Sequence, residues 1–591
     1  MVTIKTRRQV GYKDKKGAGN SPIIIIVKNR RDYKTKHLLR KSSMEKVNPI
    51  ILQLLEKRGI IAEEDIEEFL SEKPKRTYDP FLLLNMEEAV DLILKHIEEK
   101  KKICIYGDYD ADGITSTSIL MQFFKNFDVD IMYYIPSRFD EGYGLNKEAL
   151  KKIREDLVDL VITVDCGSVS YDEVEYGKSI GLNIVVTDHH SITDIIADCI
   201  VVNPKNPACN YPCKYLAGCG VAFKLAQGLQ RKAGLPKKAV NELLDLVAVG
   251  TIGDIVPLLD ENRTLVKYGM NIIREGHRNG LDTLIQSISM DRKKLSSDNV
   301  AFGIVPHLNA AGRMKSACVG VELMGAEDKF EIKEIVDQLV EHNRERKKVQ
   351  QDTFDLCQDL IAEKYLDDNF FIVDCPEAHE GIAGIVAGKI KDKYSKPVLI
   401  LTPTEDGFLK GTGRSIKNVN LYDVLKEQEA LFERFGGHSG ACGLLMKEEN
   451  LEALRKGIFE TIERMLDKNP DLLNEELDVD LYLNAGDITY SFISDLNRLA
   501  PFGNSNEKPC IALKDVILDK IQYMGAKKTH ARFIAKCEDG SSIGCVLFGK
   551  AQDMESILNA KVPVCVYGSP EISEWNGRRN IQMLVNDIKM L

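Results

Sequence analysis

The sequence predicts an α/β protein in four parts: a domain on a parallel sheet, a long linking helix, a smaller α/β domain and a C-terminal OB-fold-like β-barrel. Three observations carry that expectation. Short apolar runs alternate with amphipathic stretches from Met86 to Thr187, the pattern of a parallel sheet covered by helices. A charged stretch from Glu327 to Tyr365 keeps helical periodicity with few breakers. Beyond Asn469 short β-like runs broken by turns replace long helices, which suggests a small barrel.

Taken in order, residues 1–40 form a basic segment. Residues 1–41 hold 13 Lys or Arg against 2 acids, so they carry +11, and the overall −10 leaves −21 on the rest. Two readings stand for it: a solvated, disordered tail, or an arm that holds phosphates. Residues 41–325 form the first α/β domain with a helical N-terminal part. Ile50 to Leu70 is a helical pair broken at Arg58-Gly59, and Met86 to Glu99 is an amphipathic helix. Strand Ile103–Tyr106, helix Ile114–Phe124, strand Asp130–Ile135, helix Lys147–Glu155 and strands Leu160–Val164 and Asn183–Thr187 follow. Residues 326–366 are the connecting helix. Residues 367–468 form the second α/β domain, with strands Phe370–Val373 and Pro397–Leu401 around a helix from Ile382 to Tyr394. Residues 469–591 supply the strands Arg532–Cys537, Ser542–Phe548 and Val562–Tyr567 of the barrel-like domain.

Composition excludes several classes. At 591 residues the chain exceeds one hydrophobic core. No apolar run approaches the roughly 18 residues that span a bilayer, and no apolar h-region precedes a small-residue cleavage site, so a cytoplasmic protein without membrane contact is expected. The 14 cysteines are scattered singly, as reduced thiols are. Cys209, Cys213 and Cys219 lie close together but lack a partnered second pair, so buried small apolar residues are expected there in preference to zinc ligands.

Chemistry concentrates where the β-like runs end. Ile103–Tyr106 is followed by Gly107-Asp108-Tyr109-Asp110-Ala111-Asp112-Gly113, Leu160–Val164 by Asp165-Cys166-Gly167, and Asn183–Thr187 by Asp188-His189-His190. A fourth apolar run, Leu243 to Val249, read as β-like, leads into Gly250-Thr251-Ile252-Gly253-Asp254. In a doubly wound sheet ligands bind outside the carboxyl ends of the strands, so these clusters converge on one rim. So many carboxylates need positive charge among them, and oxygen plus imidazole donors suit Mn²⁺ or Mg²⁺. Two divalent ions sharing a carboxylate form the clamp used for in-line displacement at phosphorus. Asp112 before Gly113-Ile114-Thr115 also has the plainer reading of a helix N-cap.

The series Asp-Tyr-Asp-Ala-Asp-Gly, Val-Asp-Cys-Gly, Asp-His-His and Gly-Asp-Ile-Val resembles the motifs of the DHH phosphoesterases, and in detail those of the RecJ exonucleases. The resemblance runs from about His37 to the C-terminus and is sharpest between Asp108 and Arg313. It implies Asp110, Asp112, Asp165, His189 and Asp254 as ligands of two Mn²⁺ or Mg²⁺ ions, with Asp165 as the bridge and Asp108 as a further member. It implies His190 as the group facing the scissile phosphate, and Asp188 as the residue that orients the imidazoles. Pro306 to Arg313, containing Asn309, resembles the segment whose arginine contacts phosphate, a task that suits a planar, two-pronged guanidinium. His379-Glu380-Gly381, Gly411 to Ser415 and Gly436-Gly437-His438 match the DHH-associated domain, where Gly-rich turns present amides to anions. Thr412 and Arg414 are thereby implied at the 5′ end of the strand, and Ser415, His379, Gly437 and His438 as further substrate-binding residues.

The resemblance implies a single-stranded-DNA-specific 5′→3′ exonuclease that releases mononucleotides in repair and recombination. It would act as a monomer beside single-strand-binding protein and a helicase. Tyr523, Lys527, Lys528, His530 and Arg532 are candidates to line the groove of the C-terminal domain, and Trp575 reads equally as core or as a stacking platform. The nearest rival is a DHH nuclease for short RNA oligonucleotides or 3′-phosphoadenosine 5′-phosphate, but such enzymes are shorter and lack the OB-like region; a family II pyrophosphatase fails for the same reason. A non-catalytic replication scaffold is disfavoured because every metal ligand is kept.

Overall fold

Apolar runs without a polar interruption build the first sheet. Ile103–Tyr106 (β1) and Leu160–Val164 (β3) are buried at every residue, as a strand covered on both faces must be. They pair in parallel with Ile131–Tyr134 (β2), Asn183–Thr187 (β4) and Ile200–Val202 (β5), in the order β2-β1-β3-β4-β5. Helices Ala111–Phe124 (α1), Lys147–Glu155 (α2) and Tyr171–Ser179 (α3) make the crossovers. The chain goes from β1 outward to β2, then returns to β3 on the other side of β1. That reversal opens a crevice at the carboxyl ends of β1 and β3.

The structure is a computed structural model that describes residues 26–29 and 47–590, except 139–140, 193–194, 405, 475 and 576. The expected basic segment therefore lies outside the described residues apart from the backbone of Ile26–Asn29, which pairs with Glu476–Val479, and the side chain of Trp575 lies outside them too. The chain divides into two compact units. The larger comprises Arg30–Thr353, His379–Ile382 and Val479–Leu591; the smaller comprises Met1–Asn29, Phe354–Ala378 and Ala383–Asp478.

One expectation in the larger unit is corrected. The run into Asp254 is not β-like but a helix, Leu244–Gly253 (α5), which follows Gly218–Lys232 (α4). Its residues 244–252 are all buried, so it lacks the polar face that would reveal a helical period. Helix Asp260–Glu275 (α6) packs against it, and Val305–Met314 (α7) carries Asn309 and Arg313.

In the C-terminal part the strands Leu481–Tyr482, Ile511–Met524, His530–Lys536, Ser542–Leu547, Arg578–Met590 and Val564–Trp575 form a six-stranded sheet in that order. Ile511–Met524 also pairs with Val564–Trp575. The N-terminal helices Pro49–Lys57 and Glu63–Leu70 share this domain's core: Leu54, Leu55 and Phe69 cluster with Phe492, Phe533 and Val566. Arg263 of α6 reinforces the junction. Its buried guanidinium stacks 3.8 Å from the Phe69 ring and donates to the carbonyls of Phe69, Leu499 and Ala500 at 2.8–2.9 Å.

Lys329–Leu360 is one long helix within the stretch expected to be helical. The smaller unit contains a five-stranded sheet ordered Phe432–His438, Ala441–Lys447, Phe408–Arg414, Val398–Pro403, Phe371–Asp374. The Gly-rich motifs expected as turns are strands here. Along Phe408–Arg414 burial alternates, with Leu409, Gly411 and Gly413 facing the core. A Cβ on Gly411 would meet Leu444 Cδ1 at 2.7 Å, and one on Gly413 would meet Leu421 Cδ2 at 2.8 Å. The glycines thus admit core leucines, and Thr412 and Arg414 share the opposite face.

Candidate metal centre

The loop after β1 places Asp110 and Asp112 in two different ways. Asp110 caps α1, its Oδ1 accepting from the amides of Asp112 (2.9 Å) and Gly113 (3.1 Å). The N-cap reading therefore belongs to Asp110. Asp112, fully buried, points instead at the start of α4 and accepts from Gly218 N (2.6 Å) and Cys219 N (2.9 Å). Two free helix-terminal amides hold that carboxylate in place. Asn309 braces the same loop, its Oδ1 accepting from Ala111 N at 2.7 Å.

β3 and β4 bring the remaining groups to the same rim. His189 Nε2 lies 3.1 Å from Asp165 Oδ1, 3.5 Å from Asp254 Oδ2 and 3.8 Å from Asp112 Oδ2. Three overlapping groups of donors result: Asp108, Asp110 and Asp165; Asp112, His189 and Asp254; and Asp165, His189 and His190, with the donor atoms of each within 4.8 Å of one another. Asp165 lies between the first two, in contact distance of His189. Asp188 turns away and accepts from His190 Nδ1 (2.8 Å) and from Ser168, His189 and His190 amides (2.7–3.0 Å). It orients one imidazole, not the two expected: neither ring nitrogen of His189 has a hydrogen-bond partner among the described residues.

The electrostatics follow from burial. Burial and the charge of Asp110 push Asp108 up to about 8; burial and the charges of Asp112 and Asp110 do the same to Asp254. Burial raises Asp112, and burial with four neighbouring carboxylates raises Asp165 well above the usual range. Burial lowers His189 to about 4, so its ring is neutral, the state a metal ligand needs. For His190 burial works downward, but the hydrogen bond and charge of Asp188 prevail and its pKa is raised. Asp108 Oδ1, Asp165 Oδ1, Asp254 Oδ2 and both His189 nitrogens are buried without a hydrogen-bond partner among the described residues. Orphaned donors of this kind, oxygen with imidazole and no thiolate, fit hard divalent cations. Cys219 is buried nearby, but its thiol faces Val247 O and Thr251, and Cys209 and Cys213 are buried in the core as expected.

Residues 102–251 match the DHH family, N-terminal domain; residues 367–464 match the DHHA1 domain; and residues 479–587 match the RecJ OB domain. The single-stranded-DNA-specific exonuclease RecJ of Bacillus subtilis is 37% identical over 92% of this chain and 68% of its own length. RecJ of Escherichia coli is 32% identical over 91% and 96%. The chain belongs to the RecJ family. A crystal structure of RecJ from Thermus thermophilus in complex with Mn²⁺ superposes with a TM-score of 0.79 at 27% identity, covering 93% of this chain and 77% of that one. The same protein has also been solved with Mg²⁺ (TM-score 0.73). The chain is thus a RecJ-family, metal-dependent nuclease, with Mn²⁺ or Mg²⁺ as the ions its donor set fits.

RecJ-family membership leaves the individual side chains to geometry. Arg313 is half-buried, its Nη1 donates to Gly381 O at 2.7 Å, and desolvation lowers its pKa to about 10. A cavity of about 230 Å³ beside it is lined by Tyr109, Arg138, Glu141, Gly312 and Lys315 among others. Sequence reasoning passed over Tyr143. Its hydroxyl lies 3.1 Å from His190 Nδ1 and 3.3 Å from Asp165 O, and the flanking Gly142 and Gly144 adopt φ of 79° and 85° to present it. The signal was there: a Gly-Tyr-Gly between a strand and a helix. In the smaller unit, Arg414, Ala441 and His438 lie in one row across three strands. Ser415 N bonds Gly440 O at 3.1 Å, and Gly437 has φ of 144° beside Cys442.

No helix among the described residues is long and apolar enough to cross a membrane.

Proposed function

We propose that this chain is a single-stranded-DNA-specific exonuclease that hydrolyses phosphodiesters with two divalent ions and releases 5′-mononucleotides in the 5′→3′ direction, in DNA repair and recombination. The observation that carries the reading is the buried, unpartnered donor set of Asp108, Asp165, His189 and Asp254 in a RecJ-family chain. Asp110, Asp112, Asp165, His189 and Asp254 would hold the ions, with Asp165 shared and Asp108 supporting the shell. Bound there, two divalent ions offset the charge that develops at phosphorus.

The chain's own residues do the rest. His190, its pKa raised by the hydrogen bond and charge of Asp188, faces the scissile phosphate as a proton donor, and Tyr143 contacts its ring. Asn309 holds the Asp110–Asp112 loop, and Arg313 offers its remaining donors to a phosphate oxygen. Thr412 and Arg414 receive the 5′ end, and Ser415, His379, Gly437 and His438 would bind the strand. We further propose a cytoplasmic monomer that works with single-strand-binding protein and a helicase.

Digestion of 5′-labelled and 3′-labelled single-stranded DNA with Mn²⁺ tests the reading, with Asp165→Ala as control. Immediate release of labelled mononucleotide from the 5′ end, lost in the variant, is the expected result. Survival of long DNA while short RNA oligonucleotides disappear would reassign the substrate.

A further inference from the structure

Asp254 is carried by a helix end and not by a strand of the sheet. It forms the C-cap of α5, and the next residue, Ile255, has φ of 59°. A β-branched residue enters that left-handed region only at a cost. Ile255 is also 69% exposed, so burial of its own side chain does not offset the strain. Asn262 Nδ2 of α6 donates to Pro257 O at 3.1 Å, and the bonds at the two ends of this turn come from the C-terminal domain. Asn504 Nδ2 donates to Ile255 O at 2.6 Å, and Asn504 O accepts from Leu258 N at 2.9 Å, so one residue grips the turn at both ends.

The loop that bears Asn504 is itself anchored. Ser297 Oγ donates to Phe502 O at 2.6 Å, and Gly503 and Asn506 exchange backbone bonds at 3.0 Å. Buried Asn506 Nδ2 donates to Leu499 O (2.9 Å) and Pro501 O (2.7 Å), and Arg263 grips the carbonyls of Leu499 and Ala500. Gly503 approaches so near that a Cβ there would lie 2.7 Å from Leu258 Cδ1.

We propose that Asn504 is a positioning residue of the metal centre: it clamps the Ile255–Leu258 turn and so sets the affinity for the ion that Asp254 helps to hold. The C-terminal domain then completes the metal site as well as meeting DNA. The proposal rests on the two-ion reading above. Partners that orient a ligand from outside the coordination sphere typically change metal affinity 10–100-fold when removed.

The test uses full-length protein, Asn504→Ala and Asn504→Asp. The aspartate keeps the backbone acceptor and the side-chain size, and remains informative if truncation disturbs the fold. Mn²⁺ titrations read by the electron paramagnetic resonance of free Mn²⁺ should show two ions bound by the parent protein. Each variant should bind one of them about tenfold more weakly, with an unchanged unfolding midpoint in chelator. Digestion by the variants should recover to the parent kcat at excess Mn²⁺, with KM for DNA unchanged. Parent-like Mn²⁺ isotherms in both variants would overturn the proposal, as would a loss of hydrolysis that excess Mn²⁺ does not restore. Failure of the parent itself to bind Mn²⁺ would overturn the two-ion reading and this proposal with it.

Discussion

Asp188 Oδ1 accepts a hydrogen bond from His190 Nδ1 at 2.8 Å, while the same carboxylate is fixed by the amides of Ser168, His189 and His190. Burial works to lower the His190 pKa, but Asp188 more than offsets it and keeps the ring protonated to higher pH. A proton donor is lost as pH rises through its pKa, so His190 governs the basic limb of the rate profile. Asp188→Asn retains shape and removes charge. Its basic limb should move to lower pH, with kcat down about 10–100-fold at saturating Mn²⁺. A basic limb left at its original pH would assign that limb to another group.

The metal-free protein should lose stability as pH rises. Asp108 and Asp254 sit at about 8 in the fold, against an ordinary carboxylate value of 3.8, and Asp165 and Asp112 are raised as well. Between those limits the folded chain binds more protons than the unfolded one, so its stability falls from about pH 4 to about pH 8. A divalent ion replaces the missing positive charge. In chelator the unfolding midpoint should drop between pH 5.5 and 8.5, and added Mn²⁺ should raise it more at the higher pH. An equal Mn²⁺ effect at both values would place the ion away from these carboxylates.

What was legible in the sequence was whatever local pattern decides. The bounds of β1, β3, β4 and the Lys147–Glu155 helix follow from runs whose periodicity and flanking turns agree. The acids and histidines after β1, β3 and β4 were legible because each group follows such a run; Asp254, at the end of a helix, does not. Leu244–Gly253 was misread because an apolar segment buried at nearly every residue has no period to detect. The glycines of Phe408–Arg414 suggested turns, yet their cause is two core leucines not yet reached in the chain, Leu444 on a strand and Leu421 at the start of a helix. Nothing local tells Leu54 that it packs in one cluster with Phe533, or Asn504 that it meets Ile255, since those partners are hundreds of residues away.

Arg263 offers a stability test of that distant junction. Its guanidinium is buried without a carboxylate partner among the described residues, burial lowers its pKa to about 9, and its donors satisfy carbonyls from Phe69 and the 498–501 loop. Arg263→Ala strands those carbonyls and opens a void under Phe69, a cost of about 3 kcal/mol. Urea unfolding should show that loss, and Arg263→Lys should recover only part of it because one ammonium cannot reach carbonyls on both sides. A loss below about 0.5 kcal/mol, typical of a surface substitution, would mean that the helical N-terminus and the C-terminal sheet hold together without it.

Arg414 tests the reading of the smaller unit. It shares one strand face with Thr412, its Nη1 bonds only the neighbouring Gly413 O at 2.9 Å, and no carboxylate pairs with it among the described residues. Burial lowers its pKa, as expected of a half-buried guanidinium that lacks a counter-charge. A terminal phosphate would supply that charge through a charge-assisted, two-pronged contact worth about 1.5–3 kcal/mol. Arg414→Ala should therefore reduce kcat/KM on 5′-phosphorylated single-stranded DNA by about 10–100-fold and leave 5′-hydroxyl ends within about threefold. The comparison needs only one oligonucleotide with and without its 5′-phosphate. Equal losses on both ends would move Arg414 from the strand terminus to general backbone binding, whereas Arg414→Lys should restore charge without the fork and recover part of the difference.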